Sequence, residues 1–217
     1  MSLAIFDLDN TLIGGDSDHL WGEFLIQKGV VNADYYRQQN DKYYEAYKQG
    51  NLDIMAFLQF SLRPLADNPL EKMLELREEF MRDKIELLLL PKSFELLSRH
   101  REQGHYLLII TATNRFVTEP IAQRLGVDEL LATEPEFVDG KYTGSVFGTP
   151  CYQAGKVTRL RQWQEKQAQT KGETWFYSDS HNDLPLLELV DHPVVVDADD
   201  ILLEQAKTRN WLSISLR

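Results

Sequence analysis

The sequence predicts an α/β fold, a parallel sheet core with helices on both faces, interrupted after its first strand by an all-α insertion. Three observations predict it. The chain opens on the apolar run Leu3-Ala4-Ile5-Phe6, which breaks off at Asp7-Leu8-Asp9-Asn10 and Gly14-Gly15, as a buried strand does on entering a loop. From about Ser17 to about Lys84 apolar residues recur at helical spacing. After about Leu87 short apolar runs alternate with helical ones, the rhythm of strand-helix units whose parallel sheet is covered on both faces. Residues 1–15 and 87–217 are therefore expected to form the core, and residues 16–86 a separate helical domain.

Taken in order, the opening strand covers Leu3 to Phe6. Leu20, Trp21, Phe24 and Leu25 mark one helix of the insertion and Ile54, Phe57, Leu58 and Leu62 another. Asn68-Pro69 marks a helix start, because proline fits a first turn where its missing donor costs nothing. Tyr35, Tyr36, Tyr43, Tyr44 and Tyr47 fall at spacings that suit a helical face, which reads as packing between helices. A helix over about Ser93 to Arg101 leads through Gly104 into a strand over Tyr106 to Ile110. Thr113 or Asn114 caps the next helix, which runs to Leu125 and is closed by Gly126. Ala132 to Phe147 reads as a hairpin about Asp139-Gly140. There follow a helix over about Gly155 to Gln169, a strand over Thr174 to Tyr177, and a helix near Leu184 to Leu189. A strand over Pro193 to Val196 and a helix near Asp200 to Arg209 end the series.

Composition narrows the function. Lys plus Arg number 23 against 34 Asp plus Glu, a net charge of −11 spread along the chain, which repels nucleic-acid backbones and acidic lipid surfaces alike. Neither is expected as a partner, and a phosphorylated ligand must be met by a local site. The one cysteine, Cys151, forbids an internal disulfide and excludes a multi-cysteine zinc site. With no apolar run long enough to span a bilayer and no signal-like opening, a cytoplasmic location is expected. Monomer and homodimer both remain open.

Ligands of open α/β sheets sit beyond the carboxyl ends of the strands. There the sequence puts Asp7 and Asp9 after the first strand, Thr111 after the second, and Asp179 with Asp183 after the Trp175-Phe176-Tyr177 strand. Each alone reads as a solvated loop or a helix cap. At one sheet edge they gather four carboxylates and a hydroxyl, whose mutual repulsion calls for a hard cation with a taste for oxygen, and Mg²⁺ is expected. Lys156, near a helix start, adds a positive charge if that helix end faces the crevice. No phosphate-binding Gly-rich loop of the nucleotide-binding kinds is present.

Asp7-Leu8-Asp9-Asn10-Thr11-Leu12, then Thr111, then Lys156, then Ser178-Asp179-Ser180-His181-Asn182-Asp183 resemble the four ordered motifs of the haloacid-dehalogenase (HAD) superfamily of phosphatases. The resemblance spans the whole chain. It implies a Rossmann-like core with a C1-type all-α cap inserted after the first strand, similar to the phosphoserine-phosphatase-like branch. Pro120-Ile121-Ala122 and Tyr142-Thr143-Gly144 are also similar to that branch, while Ser178 stands where the fourth motif usually has glycine.

The resemblance also implies roles. Asp7 is the nucleophile that takes the phosphoryl group, and Asp9 protonates the leaving oxygen and then takes a proton from water, its acidity weakened by carboxylate neighbours. Thr111 bonds a phosphoryl oxygen and Lys156 offsets charge. Mg²⁺ is held by Asp7, the carbonyl of Asp9 and Asp179, with Asp183 ligating or orienting. Ala112, Thr113 and Asn182 meet the substrate or its phosphate.

The cap is expected to choose the substrate. Asp16, Asp18, His19 and Trp21 lie nearest the loop and a later helix brings Arg63; Asp16, Ser17 or Asp18 equally suits the cap of the following helix. In phosphoserine phosphatases an acid near this loop and a cap arginine hold the amino acid, and Asp16 and Arg63 look like counterparts. Thr111-Ala112-Thr113-Asn114-Arg115-Phe116, however, departs from their usual Ser-Gly-Gly-Phe continuation. With Gly15-Asp16-Ser17-Asp18-His19 it resembles a bacterial subgroup that includes histidinol-phosphate phosphatases. Histidinol carries an ammonium and an imidazole, which acids and Trp21 suit. Histidinol phosphate is therefore the leading expected substrate, with phosphoserine the alternative. A phosphotransferase that passes the aspartyl phosphate to an acceptor alcohol would share every motif. A non-catalytic binding protein on this fold usually loses the first aspartate or the lysine, and both are present.

Overall fold

The computed structural model describes residues 1–167 and 172–217. Seven strands form one sheet in the order β4-β3-β2-β1-β5-β6-β7. They are β1 (Leu3–Phe6), β2 (Tyr106–Asn114), β3 (Glu129–Val138), β4 (Lys141–Phe147), β5 (Thr174–Ser178), β6 (His192–Val196) and β7 (Leu212–Ile214). All neighbours pair parallel except β3 and β4. β1 lies between β2 and β5, with Leu3 opposite both Tyr106 and Thr174. The chain thus builds outward from β1 first to one side and then to the other, and the reversal leaves a crevice beyond the carboxyl end of β1.

Strand alternation sorts the core into two layers. Ala4, Phe6, Leu107 and Ile109 point to one face, and Leu3, Ile5, Leu108 and Ile110 to the other, all fully buried. This is why β1 is apolar at every position. Each large side chain buried here contributes roughly 2 kcal/mol.

Six helices lie between β1 and β2, and the first five fall within residues 16–86: α1 (Ser17–Gln27), α2 (Ala33–Lys48), α3 (Ile54–Ser61), α4 (Arg63–Asp67) and α5 (Leu70–Asp83). Their apolar stripes join the Phe6 face of the sheet: Trp21, Phe24, Leu58, Leu62 and Phe80 form one cluster with Phe116 and Val117. The remaining helices are α6 (Pro91–Glu102), α7 (Arg115–Leu125), α8 (Ala154–Glu165), α9 (Leu184–Leu187) and α10 (Asp200–Arg209). Among the described residues no helix is long and apolar enough to cross a membrane.

Several boundaries differ from the sequence reading. β2 runs on through Thr111, Ala112 and Thr113 to Asn114, after a register shift beyond Ile110, so Thr111 lies within the strand instead of ending it. Asn114, not Thr113, caps α7 by accepting the Val117 N–H. β3 begins at Glu129 because its first residues pair parallel with β2 before the strand enters the hairpin. The hairpin turn is Asp139-Gly140, both at positive φ, as a two-residue turn between twisted strands requires. α8 ends at Glu165; Ala168 and Gln169, placed in that helix from the sequence, lie outside the described residues. β7 was not foreseen, being three residues with two of them exposed. Pro69 takes the position just before α5, with Leu70 as its first residue.

Candidate active site

The floor of the crevice is built by strand ends. Asp7 directly follows β1 and keeps sheet register, its N–H donating to Tyr177 O at 2.9 Å. Its carboxylate is buried, and Oδ1 accepts from Lys156 Nζ at 2.9 Å. Lys156 also donates to Asp183 Oδ2 at 2.8 Å, so one buried ammonium bridges two carboxylates from different strand ends. Gly155 makes this possible. A Cβ there would lie 2.0 Å from the Pro150 carbonyl oxygen, so only glycine lets α8 start this close to the preceding loop and aim Lys156 inward.

Ser178, the departure noted in the fourth motif, donates to Asp183 Oδ2 at 2.6 Å and accepts the Ser180 N–H at 3.1 Å. Its hydroxyl thereby holds the carboxylate that steadies Lys156. Asp183 spends its oxygens on Lys156 and Ser178, which places it behind the lysine. Thr11 turns back to the same edge: its hydroxyl donates to Asp179 Oδ1 at 3.0 Å and accepts the Asp179 N–H at 3.1 Å.

Asp9 stands two residues beyond Asp7. Its Oδ1 accepts the Ser17 N–H at 2.6 Å and Oδ2 the Thr113 hydroxyl at 2.8 Å, with Thr111 Oγ1 at 3.5 Å. Ala112 lines the crevice, and its carbonyl accepts from Thr133 at 2.7 Å.

Burial dominates the electrostatics. It pushes the Asp7 carboxyl up to about 7; Lys156 pulls it down, and Asp183 and Asp9 push it up again. Asp9 is raised to about 6, by loss of solvent first and by Asp16 next, against the bonds from Ser17 and Thr113. The sequence reading gave carboxylate neighbours as the cause; they are second to burial. Asp179 is raised well above the carboxylate range by burial and then by Asp7. For Lys156 burial works against the charge, and Asp183 and Asp7 outweigh it, leaving the ammonium firmly protonated.

Above this floor is a cleft of about 50 Å³. α1 supplies its first wall: Asp16 caps the helix by accepting the His19 N–H at 2.8 Å, and Asp18 and His19 follow. α2 supplies the second through Asn40, Tyr43, Tyr44 and Tyr47, four residues on one helical face. Leu52, Ile54 and Phe57 close it. The Tyr47 phenol is raised well above its usual value by burial and then by Asp7, Asp179 and Asp183.

Of the residues singled out in the sequence, Asp7, Asp9, Asp16, Asp18, Thr111, Ala112 and Thr113 share this cleft, with Lys156, Asp179 and Asp183 at its base. Three others lie elsewhere. Arg63 is exposed and paired with its helical neighbour Asp67 at 2.8 Å, facing a different groove. Trp21 is buried against Phe24, Phe80 and Phe116, turned into the core because its helix needs it there. Asn182 is buried and joins the helical insertion to the core, donating to Tyr47 O at 3.0 Å and accepting from Tyr152 and Gln153, each at 3.0 Å. The tyrosines were read as packing. Tyr36 and Tyr43 do pack on Phe60, yet Tyr43, Tyr44 and Tyr47 also line the cleft. The 40/43/44/47 spacing was the available signal.

Residues 4–188 match the haloacid dehalogenase-like hydrolase family. The chain is 45% identical over 214 residues to a histidinol-phosphatase of Neisseria meningitidis serogroup C (strain 8013), covering 97% of this chain and 96% of that one. A crystal structure of a Bordetella pertussis Tohama I protein of unknown function superimposes with a TM-score of 0.94 at 40% identity, over 100% of this chain and 99% of the other. A substrate-bound phosphoserine phosphatase complex matches with a TM-score of 0.72 at 19% identity, over 98% of this chain and 91% of that one, a likeness of fold.

Proposed function

Starting from a chain that belongs to the haloacid dehalogenase-like hydrolase family and is a phosphoric monoester hydrolase, we propose that it works through an aspartyl phosphate on Asp7, with histidinol phosphate as its substrate. The observation that carries the chemistry is the single buried Lys156 shared by Asp7 and Asp183, beside an Asp9 fixed by Ser17 and Thr113.

Asp7 attacks phosphorus: an O–P bond forms to its free carboxylate oxygen as the P–O bond to the alcohol breaks. Asp9, raised to about 6, gives its proton to the leaving oxygen. In the second step water attacks the same phosphorus, Asp9 takes the water proton, and Asp7 is released as a carboxylate. Lys156 offsets charge on Asp7 and on the phosphoryl group throughout, and Thr111 donates to a phosphoryl oxygen once substrate displaces its weak 3.5 Å contact with Asp9.

The donor set fits Mg²⁺. Asp179 is a half-buried carboxylate that meets the Thr11 hydroxyl and, among the described residues, no cationic side chain, while Lys156 is already shared by two acids. Asp7, the carbonyl of Asp9 and Asp179 would hold the ion, with Asp183 steadying the group from behind Lys156. Bound there, the ion neutralises charge on the phosphoryl oxygens.

The helices within residues 16–86 act as the cap that closes over the cleft and excludes water in the first step, with residues 1–15 and 87–217 as the core. Histidinol phosphate is supported by the 45% identity to a histidinol-phosphatase and by acids and aromatic rings facing the same cleft. A panel of histidinol phosphate, phosphoserine and sugar phosphates, assayed with Mg²⁺ and with chelator, tests both parts. Metal-dependent release far above the rest from histidinol phosphate is expected. Clear preference for phosphoserine would overturn the substrate, and no release at all would overturn the chemistry.

A further inference from the structure

The two walls of the cleft are anchored differently. α1 is held by apolar burial, with Trp21, Phe24 and Leu25 in the core cluster. α2, which supplies the tyrosines, is polar, and of its 16 residues only Tyr36 and Asn40 are buried. Its first half is tied to α1. Asn40 fits against that helix because Gly22 has no Cβ, and it donates to His19 O at 3.0 Å and to His19 Nδ1 at 3.1 Å. The carboxyl end of α2 meets the core through a joint of hydrogen bonds.

The joint is built from the two loops that carry the floor. Asn182, beside Asp183, donates to Tyr47 O at 3.0 Å. Gln153, three residues before Lys156, donates from Nε2 to Asn182 Oδ1 at 3.0 Å and to Gly50 O at 3.3 Å, and lies 3.1 Å from the Tyr152 hydroxyl. That hydroxyl donates to Asn182 Oδ1 at 3.0 Å. Gly50 has φ +69°, and a Cβ there would fall 2.7 Å from His181 Nε2, so the contact requires glycine. Tyr47 and Leu52, on either side of Gly50, both line the cleft. The backbone of Gln153 marks it out. The Gly155 N–H donates to Tyr152 O at 2.8 Å, closing a turn in which Gln153 takes the second position at φ +48°, ψ −122°. This is the type II′ conformation, which glycine adopts freely and a glutamine only under strain. Such strain persists where the surroundings hold the residue for another purpose. Here the side-chain amide spans from the core to the insertion.

We propose that Gln153 is a positioning residue, coupling the turn that leads into Lys156 to the end of α2 and so holding the aromatic wall over the phosphoryl site while the reaction proceeds. The kinetic half of the inference rests on the proposed phosphoryl transfer at Asp7; the joint itself is open to a test that needs no turnover. With the joint closed the wall is preformed. With it open, substrate must close it, which lowers apparent affinity by the closed fraction and leaves the saturated rate nearly unchanged.

Gln153→Gly separates this role from a merely structural one, because it removes the amide from a position whose backbone suits glycine. The denaturation midpoint is expected at or above that of the parent. Amide hydrogen exchange over residues 43–51 should quicken by about 10-fold or more, with β1, β2 and α6 unchanged. In the presence of Mg²⁺, KM for the better turned over of histidinol phosphate and phosphoserine should rise by about 10-fold, while kcat changes by less than about 3-fold. Tyr152→Phe keeps the glutamine and takes one hydroxyl from the joint. It should show the same pattern, with exchange and KM each shifted by about 3-fold.

Exchange over residues 43–51 that keeps the parent's rate in Gln153→Gly, or that rises equally throughout the chain, overturns the joint. An unchanged KM, or a kcat that falls at constant KM, overturns the positioning role and leaves Gln153 as a turn residue serving Lys156 alone. Either result leaves the hydrolytic chemistry standing. If the parent releases phosphate from neither substrate, the phosphoryl-transfer reading falls and the positioning role with it, while the exchange experiment still decides whether the joint exists.

Discussion

The floor and the wall of the cleft handle charge in opposite ways. On the floor two buried carboxylates share one buried ammonium, and a serine hydroxyl and backbone donors take up remaining oxygens. On the wall Asp18 has, among the described residues, neither a hydrogen-bond donor nor a counterion, and its charged neighbours are Asp16 and Asp9. An arrangement whose paired carboxylates and metal-binding oxygens are fixed by the chain acts, on the proposed reading, on what every substrate shares, here the phosphoryl group. One left incomplete is finished by whatever the ligand brings. The comparison assigns chemistry to the strand ends and selection to the helical insertion.

The largest expected effect breaks the floor alone. Asp7→Asn should lower turnover on the order of 10⁴-fold or more for every substrate, measured as phosphate release at saturation. The same change should stabilise the metal-free fold. Folded Asp7 holds its proton up to about pH 7, whereas the unfolded chain gives it up near its ordinary value of 3.8. Between those limits the folded state binds more protons, so rising pH costs the parent stability, and below them the term vanishes. Chemical denaturation without metal should therefore show the variant gaining on the parent from about pH 4 to pH 7, by a few kcal/mol at most. A constant difference would remove burial as the cause.

Next is Gly155→Ala. Its Cβ would meet a backbone oxygen at 2.0 Å, so the start of α8 must shift and carry Lys156 with it. A fall in kcat of about 100-fold is expected, common to all substrates, since roughly an ångström of misplacement costs that much. Ser178→Ala removes one donor from Asp183 and should cost about 1–2 kcal/mol in thermal or denaturant unfolding, with a smaller loss of kcat. The smallest effect belongs to the wall. Gly22→Ala pushes Asn40 off His19, and KM for an ammonium-bearing substrate should rise a few-fold while kcat changes little. A substrate-independent loss of kcat in Gly22→Ala would erase the distinction between the two regions.

The floor was legible in the sequence because its residues sit within a few positions of strand ends, and strands announce themselves by short apolar runs. Asp7, Asp9, Thr111, Asp179 and Asp183 were found that way, and Lys156 by its place near a helix start. Ser178 was seen as a departure, but its bond to Asp183 depends on a loop geometry that spacing does not encode. The wall was less legible because it depends on how helices turn toward the sheet. Trp21 and Asp18 both lie in α1, three residues apart, yet one is buried with Phe24 and Phe80 and the other lines the cleft. Arg63 is a helical residue whose near partner, Asp67, satisfies it far from the cleft. Tyr43, Tyr44 and Tyr47 were visible as a face, but what that face meets is decided by tertiary packing.

The most direct test of this division is to quench the enzyme during turnover of several phosphomonoesters and find the phosphoryl group by peptide mass spectrometry. The account predicts the same mark on Asp7 whichever alcohol departs, because the floor acts on phosphorus alone. Phosphate on another residue, or turnover with no phosphorylated enzyme at any quench time, would contradict it.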